Sequence, residues 1–461
     1  MKNKHTKYHA TLGTVSRFTL VCGIIALLYL IYRICLLGFS LSSIDTSFFR
    51  PQNGSVVCAN DDSEKPTDPQ LLVSSAYINN IRAQPALSAN LLGNADLMES
   101  DPDATNPVGF SRSIESDTAS YQYLENEDKS RFLRVIDKRE GVPIHDTRPA
   151  WLMPNISVQP DLAYAYSFQY RSGVPVELTI ESTGLDGKTS YQLETTLPAT
   201  SVWRTFTAHY SDISQSASFR PVVTTTKPGY VDLKGFDIHQ IPDSRLSEGM
   251  VSVTFDDGWQ SVMNAVPLLD RYNIRSTQYI ISDVADNKLR EYMNFDTIRT
   301  LKAAGHEIGS HSLRHCNQTT LTPQVLQDNA TKSKKILEDN KLGPITSFAY
   351  PLGQYNDSTQ AIYEPRFNYI RTSDAGYNDR YFDTTNIHSM GVLDTTTDEQ
   401  FKAWLDYAQK GRQWVVLVYH RVNETGAYNV TLDKLERQLL MIQESKMKVL
   451  PLSEAADLAK Q

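Results

Sequence analysis

After Ser247 short apolar runs alternate with amphipathic stretches to the end of the chain, and this rhythm constrains the fold more than any other feature. VSVTF (251–255), STQYIIS (276–282), HEIGSH (306–311), SFAYP (347–351), YIRTS (369–373) and WVVLVYH (414–420) have the length and the β-branched or aromatic content of strands. Helical periodicity runs over 261–272, 295–305, 323–340 and 432–445. Strands separated by helices cannot pair as hairpins, so successive strands run parallel. Residues 248–461 therefore predict an α/β fold, either an incomplete (β/α) barrel or a doubly wound sheet. In both architectures the chain leaves every strand at the same edge, so polar residues there meet although they are far apart in sequence.

Four of these strand ends carry such residues. Asp256 and Asp257 close the first strand within TFDDG. Two adjacent carboxylates are costly to keep ionised unless a positive group lies between them, although DDG is also ordinary turn chemistry. His311 and His315 follow the third strand within HSLRH, and at i, i+4 on a helical turn both imidazoles reach one metal ion. YPLGQY (350–355) ends another strand, where Pro and Gly shape a tight loop able to aim a backbone N–H into the site. His420 ends LVYH, the last strand. His306 lies on a strand rather than at its end and reads as structural. Cys316 would face away from His315 on a helix and reads as a small buried residue.

TFDDG, HSLRH, YPLG and LVYH, in this order, resemble the NodB-like polysaccharide deacetylases, carbohydrate esterase family 4, over about residues 248–461. GHEIGSHSLRH and FAYPLGQYND are similar to the branch that acts on bacterial surface polymers of N-acetylglucosamine. The resemblance implies a deformed (β/α) barrel of the NodB type. It further implies that Asp257, His311 and His315 bind a divalent metal, Zn²⁺ foremost, with Co²⁺, Mn²⁺ or Ni²⁺ as substitutes. By the same resemblance Asp256 is the general base, His420 the general acid, and the N–H of Leu352 a donor to the oxyanion.

The chain departs from that pattern in three places. The Arg often found shortly before the third-motif Pro is missing from ITSFAYP, and Arg371 in YIRTSD is the candidate replacement. The fourth motif commonly braces the acidic His with an Asp and a Trp, whereas TSDAGYND offers Asp374 and no Trp. Leu352 stands where a Tyr is common. No ligand, base or acid is lost by these changes. The implied activity is metal-dependent hydrolysis of N-acetyl groups on an extracellular amino-sugar polysaccharide (poly-N-acetylglucosamine, chitin-like or peptidoglycan), releasing acetate. O-deacetylation of a glycan such as acetylxylan uses the same motifs. An inactive glycan-binding protein is the third reading, and retention of both Asp256 and His420 speaks against it.

The first half of the chain carries different signals. Phe18–Phe39 is a run of 22 mostly apolar residues, about 33 Å as a helix and enough to span a bilayer. Lys2, Lys4, Lys7 and Arg17 precede it, so the positive-inside rule predicts a cytoplasmic tail (1–17), a transmembrane signal-anchor (18–39) and an extracytoplasmic remainder. A cleaved signal peptide, with GFSLSS as its site, is one alternative, and a buried core helix is the other, although an all-round apolar surface behind a basic leader is unusual for one. Residues 40–89 read as a polar linker. Between 90 and 241, alternating runs at 164–172, 176–183, 190–197, 202–210 and 230–241 with no helix between them predict an all-β sandwich or jelly roll.

NLLGNADLME, NPVGF and VQPDLAYAYSFQYRS resemble carbohydrate-binding jelly rolls attached to sugar-active enzymes. Trp151, Trp203 and Tyr230 are candidates to stack on sugars, with the core as the commoner place for such residues. A net charge of −8 argues against nucleic acid as a partner. The four cysteines contain no C-x-x-C pair, so a cysteine zinc site and a disulfide framework are both excluded. Asn317 and Asn356 begin two of the N-x-S/T sequons but adjoin the active-site motifs, where a glycan would block substrate.

Overall fold

The computed structural model describes residues 74–139, 148–211 and 216–461. The expected anchor at 18–39 lies outside them. Among the described residues no helix is long and apolar enough to cross a membrane.

The first part is a two-sheet sandwich. One sheet has the order Ala119–Glu125, Arg131–Asp137, Gly229–Pro242, Leu162–Ser172, Thr200–Ser211, and the other Ile156–Ser157, Ser216–Thr225, Val176–Gly184, Thr189–Leu197. All neighbours pair antiparallel. Alternation along the strands sends Leu133, Val135, Tyr166 and Phe168 of the first sheet against Leu178, Ile180, Phe219 and Val223 of the second, in one core. Trp151 joins that core, 2% exposed, and its Nε1–H donates to Arg134 O at 3.0 Å. Trp203 and Tyr230 do not. Trp203 is half-buried with Arg171 and Lys234 packed 4.7 and 4.6 Å from its ring centre, and Tyr230 is half-buried beside Arg134.

Part of the stretch expected as linker is folded. Ser75–Ala83 form a helix whose cap, Ser74 Oγ, accepts from Tyr77 N at 3.0 Å. Its Ile81 is buried with Ala163, Ala165 and Ile241 of the sandwich and with Tyr381 of the following domain. The short apolar face of this helix sits among polar residues, so composition alone concealed it.

The main sheet from Met250 onward is curled. Its order is Tyr369–Arg371, Ser347–Ala349, Glu307–Ser310, Thr277–Ile280, Met250–Phe255, Trp414–Tyr419, Met390–Gly391, with Lys448–Val449 pairing Met250–Val251. Every pairing is parallel. Every residue of Met250–Phe255 and Trp414–Tyr419 is buried, which is why these central strands read as unbroken apolar runs. The two sheet edges are joined by a single segment: Ile387 bridges Arg371 on one side, and Met390 pairs with Leu417 on the other. The sheet is thus a parallel half-barrel drawn nearly closed, and of the two architectures predicted it is the incomplete barrel. The two-residue strand Met390–Gly391 was too short to show in the sequence.

Candidate active site

The strand ends converge as the parallel topology requires. Asp256 N donates to Tyr419 O at 2.9 Å, and His311 N to Ile280 O at 2.9 Å, so each residue is held by the adjacent strand as its own strand finishes. The backbone is left-handed at three non-glycine residues of these loops, Asp257 (φ 72°), Ser312 (φ 67°) and Leu352 (φ 59°). Such conformations are strained for residues with a Cβ and are typical of sites where a side chain must be aimed.

Asp257 Oδ1 faces His311 Nε2 at 3.4 Å and His315 Nε2 at 3.2 Å. It is buried with no hydrogen-bond donor of its own among the described residues. One ligand atom from each of the three residues lies within 4.8 Å of the others. An orphaned carboxylate oxygen facing two imidazole nitrogens is the arrangement a divalent cation completes, and the donor set suits zinc. His311 Nδ1–H donates to Ala349 O at 2.9 Å, which leaves Nε2 as the ligating nitrogen. Burial opposes ionisation of Asp257, yet the His315 and His311 imidazoles hold its carboxyl well below the usual range. Burial and the neighbouring His311 and His420 push His315 down to about 4, so its imidazole is neutral and able to ligate.

His311 and His315 do not share a helical turn, as their spacing suggested. The segment is an irregular loop, and the left-handed Ser312 brings the two rings to 5.1 Å between centroids. Cys316 beside them is buried, as expected, but it is not a free thiol: it is disulfide-bonded.

Asp256 occupies the other side of the centre. Arg371, 2% exposed, donates from Nη2 to both its oxygens, at 2.7 and 2.6 Å. The guanidinium absent from the third motif is therefore supplied by the edge strand of the half-barrel. His420 Nε2 lies 3.9 Å from Asp256 Oδ2, and its Nδ1 is buried without a hydrogen-bond partner among the described residues. Asp374 does not brace it; it accepts from the Tyr355 hydroxyl instead. Leu352 is half exposed in a 3₁₀ turn begun by Pro351. The turn uses the N–H groups of Gly353 and Gln354, to Tyr350 O and Pro351 O at 3.1 and 3.2 Å, and not that of Leu352.

Trp259 is a site residue the motif reading passed over. Its Nε1–H donates to Asp257 Oδ2 at 2.8 Å, which turns Oδ1 toward the histidines. The indole is clamped by Tyr292, stacked at 4.3 Å, and by the Arg421 guanidinium 3.7 Å from its centre. The only signal in the sequence was its place directly after TFDDG. His306 is structural, as expected: buried, it accepts from Ser276 N at its Nδ1, at 3.0 Å. The side chains of Asn317 and Asn356 are spent capping the turns that follow them.

Residues 243–369 match the family model described as polysaccharide deacetylase. These residues carry a polysaccharide deacetylase domain. YxkH of Bacillus subtilis is 26% identical over 166 residues, which cover 36% of this chain and 59% of that protein. The peptidoglycan-N-acetylglucosamine deacetylase of Bacillus cereus is 25% identical over 126 residues, 27% of this chain and 54% of that enzyme. The chain thus spans just over half the length of both relatives. Among solved structures, the deacetylase PplD of Streptococcus pyogenes in complex with acetate is 22% identical with a TM-score of 0.31, covering 32% of this chain and 67% of that one. The Xyl-CE4 domain of a multidomain xylanase from the hindgut metagenome of Trinervitermes trinervoides is 14% identical with a TM-score of 0.34, covering 46% and 91%. The matched residues contain Asp256, Asp257, His311 and His315, while Arg371 and His420 lie beyond them.

Proposed function

We propose that this chain is a metal-dependent hydrolase that removes N-acetyl groups from an extracytoplasmic amino-sugar polymer. The observation that carries the reading is the pairing of two functions on adjacent residues. Asp257 Oδ1 is left for a cation between His311 and His315, while Asp256 is held apart from it by Arg371. Adjacent carboxylates divided in this way suit a ligand and a base, which a simple glycan-binding surface has no use for.

Asp257, His311 and His315 would hold the cation, with Zn²⁺ the best fit. When bound, a divalent cation there supplies Lewis acidity and makes a water nucleophilic near neutral pH. Asp256 accepts a proton from the water that adds to the acetyl carbonyl carbon. Arg371, hydrogen-bonded to both its oxygens, orients Asp256. The Leu352 N–H donates to the oxygen as negative charge develops on it. His420 then gives a proton to the nitrogen as the C–N bond breaks, so the products are acetate and an amine. An amide needs this second proton more than an ester does, because an amide anion is the poorer leaving group.

The acidic chain with its apolar segment at 18–39 fits attachment to a membrane with the catalytic domain outside the cytoplasm. The disulfide at Cys316 supports an oxidising compartment. The sandwich is read as a carbohydrate-binding module, with Trp203 and Tyr230 as its half-exposed aromatics.

The test is acetate release by the zinc-loaded chain from chitin oligomers, poly-N-acetylglucosamine, peptidoglycan and acetylxylan. Release from an N-acetylated polymer is expected. Release from acetylxylan alone would move the assignment to an O-deacetylase, and release from none would leave a glycan-binding protein.

A further inference from the structure

Tyr428 is among the large apolar side chains left exposed on the described surface, at 54%, and it stands beside the chemistry. Its ring centroid is 5.0 Å from that of His420, with the planes inclined at 53°. Its backbone is fixed. Tyr428 O accepts from Arg421 N at 3.1 Å, and Ala427 O accepts from Asp394 N at 3.0 Å. Asn429–Val430 then pairs with Arg421–Val422. Left-handed Asn423 (φ 60°) and Gly426 (φ 106°) turn the intervening loop back on itself, so the ring returns to the histidine it left eight residues earlier.

Exposing an aromatic face to water is unfavourable, and a rigid loop gives the ring little freedom to fold inward. Nor does the ring brace the acid: among the described residues His420 Nδ1 has no hydrogen-bond partner, the Tyr428 hydroxyl included. A flat, half-wetted aromatic with a polar tip suits a ligand that is apolar on one face and hydroxylated at its rim. A pyranose ring is such a ligand. If His420 protonates the departing nitrogen, the sugar bearing that nitrogen lies within one ring's width of His420, which is the reach of Tyr428.

We propose that Tyr428 forms a carbohydrate subsite, its ring stacking on the apolar face of the pyranose that carries the reacting N-acetyl group. The subsite rests on the deacetylase reading given above. It gives that site a preference for sugar-borne acetyl groups over the same acetyl group on a flat or acyclic carrier. The residue's task is binding, and the proton transfers stay with Asp256 and His420.

The test compares the full chain with Tyr428→Ala and Tyr428→Phe. Affinity for an N-acetylglucosamine pentamer is measured by calorimetry on metal-free protein, where no turnover intervenes. Hydrolysis of 4-nitrophenyl acetate, which has no sugar, is measured on zinc-loaded protein. Tyr428→Ala is expected to weaken pentamer binding about tenfold, the scale of one lost aromatic contact. Tyr428→Phe, which keeps the ring, stays within about twofold. The loss on the pentamer should exceed the loss on the aryl ester at least fivefold. Unchanged pentamer affinity in Tyr428→Ala, or equal losses on both probes, overturns the subsite while leaving the deacetylase reading intact. A parent chain that hydrolyses the aryl ester but binds no pentamer overturns both.

Discussion

Arg371 Nη2 donates to both carboxylate oxygens of Asp256, at 2.7 and 2.6 Å, with both side chains buried. Asp256, the proposed base, is thus held by a residue on the edge strand, 115 positions later in the chain. Arg371→Met should lower turnover about 100-fold, the scale of one misaligned acid–base group, while the metal stays bound. Removing one partner of a buried pair also costs about 3–5 kcal/mol, so the melting temperature should fall as well. Arg371→Lys, which keeps the charge, should recover part of both. Acetate release, zinc content and a thermal melt read the three effects separately, and full activity in Arg371→Met would remove Arg371 from the site.

The proposed function gives the neighbours Asp257 and Asp256 different tasks. Asp257→Asn should lose zinc on dialysis, whereas Asp256→Asn should retain it and lose turnover. Atomic absorption beside the acetate assay distinguishes them. Wild-type rates in Asp256→Asn would show that another group is the base.

Trp259→Phe keeps a ring between Tyr292 and Arg421 but deletes the donor to Asp257 Oδ2. Losses of roughly 10–100-fold in metal affinity are usual when a group orienting a metal ligand is removed. A competition titration with a chelator should show a loss in that range with an unchanged melting temperature for the metal-free chain. Unaltered affinity would reduce Trp259 to packing.

His420→Ala should slow release from amides far more than from 4-nitrophenyl acetate, whose leaving group needs no proton. Equal slowing on both would mean that His420 binds or shapes the site rather than acting as its acid.

The sandwich is tied to the deacetylase domain by His209, whose Nε2 lies 2.6 Å from Asp379 Oδ2 and whose Nδ1 lies 2.8 Å from the Tyr77 hydroxyl. Burial would lower the His209 pKa, but the charge and hydrogen bond of Asp379, helped by Glu194, raise it above its ordinary value. A raised folded-state pKa gives stability that is complete below the unfolded value and is lost as pH rises through the folded one. His209→Gln should therefore cost most, about 2 kcal/mol for a charged hydrogen bond, below pH ~6.5, the unfolded histidine value. Melts of both proteins from pH 5 to 9 should converge at the alkaline end. A gap independent of pH would show the pair to be neutral.

Much of the candidate site is legible in the sequence. Asp256, Asp257, His311, His315, Leu352 and His420 stand at or just beyond strand ends, and apolar runs followed by polar residues mark such ends in a linear chain. The missed parts have no linear signature. Trp259 looks like any tryptophan until its Nε1 is seen on Asp257 Oδ2. Asp374 matched a motif position, yet its carboxylate is taken by Tyr355. The helical turn inferred for HSLRH failed because i, i+4 spacing is met equally by a loop with one left-handed residue, here Ser312. The small cysteine count hid the disulfide at Cys316, because one bond needs no framework.

By itself, then, the sequence determined which residue types stand at the ends of parallel strands, because burial on both faces forces unbroken apolar runs and topology places their ends together. Only the tertiary structure decided that Arg371 reaches Asp256, that Asp257 turns Oδ1 toward two histidines, and that Tyr428 returns to His420. Those relationships depend on how far the sheet curls and on single left-handed residues. The energies involved are a few kcal/mol, and no local pattern records them.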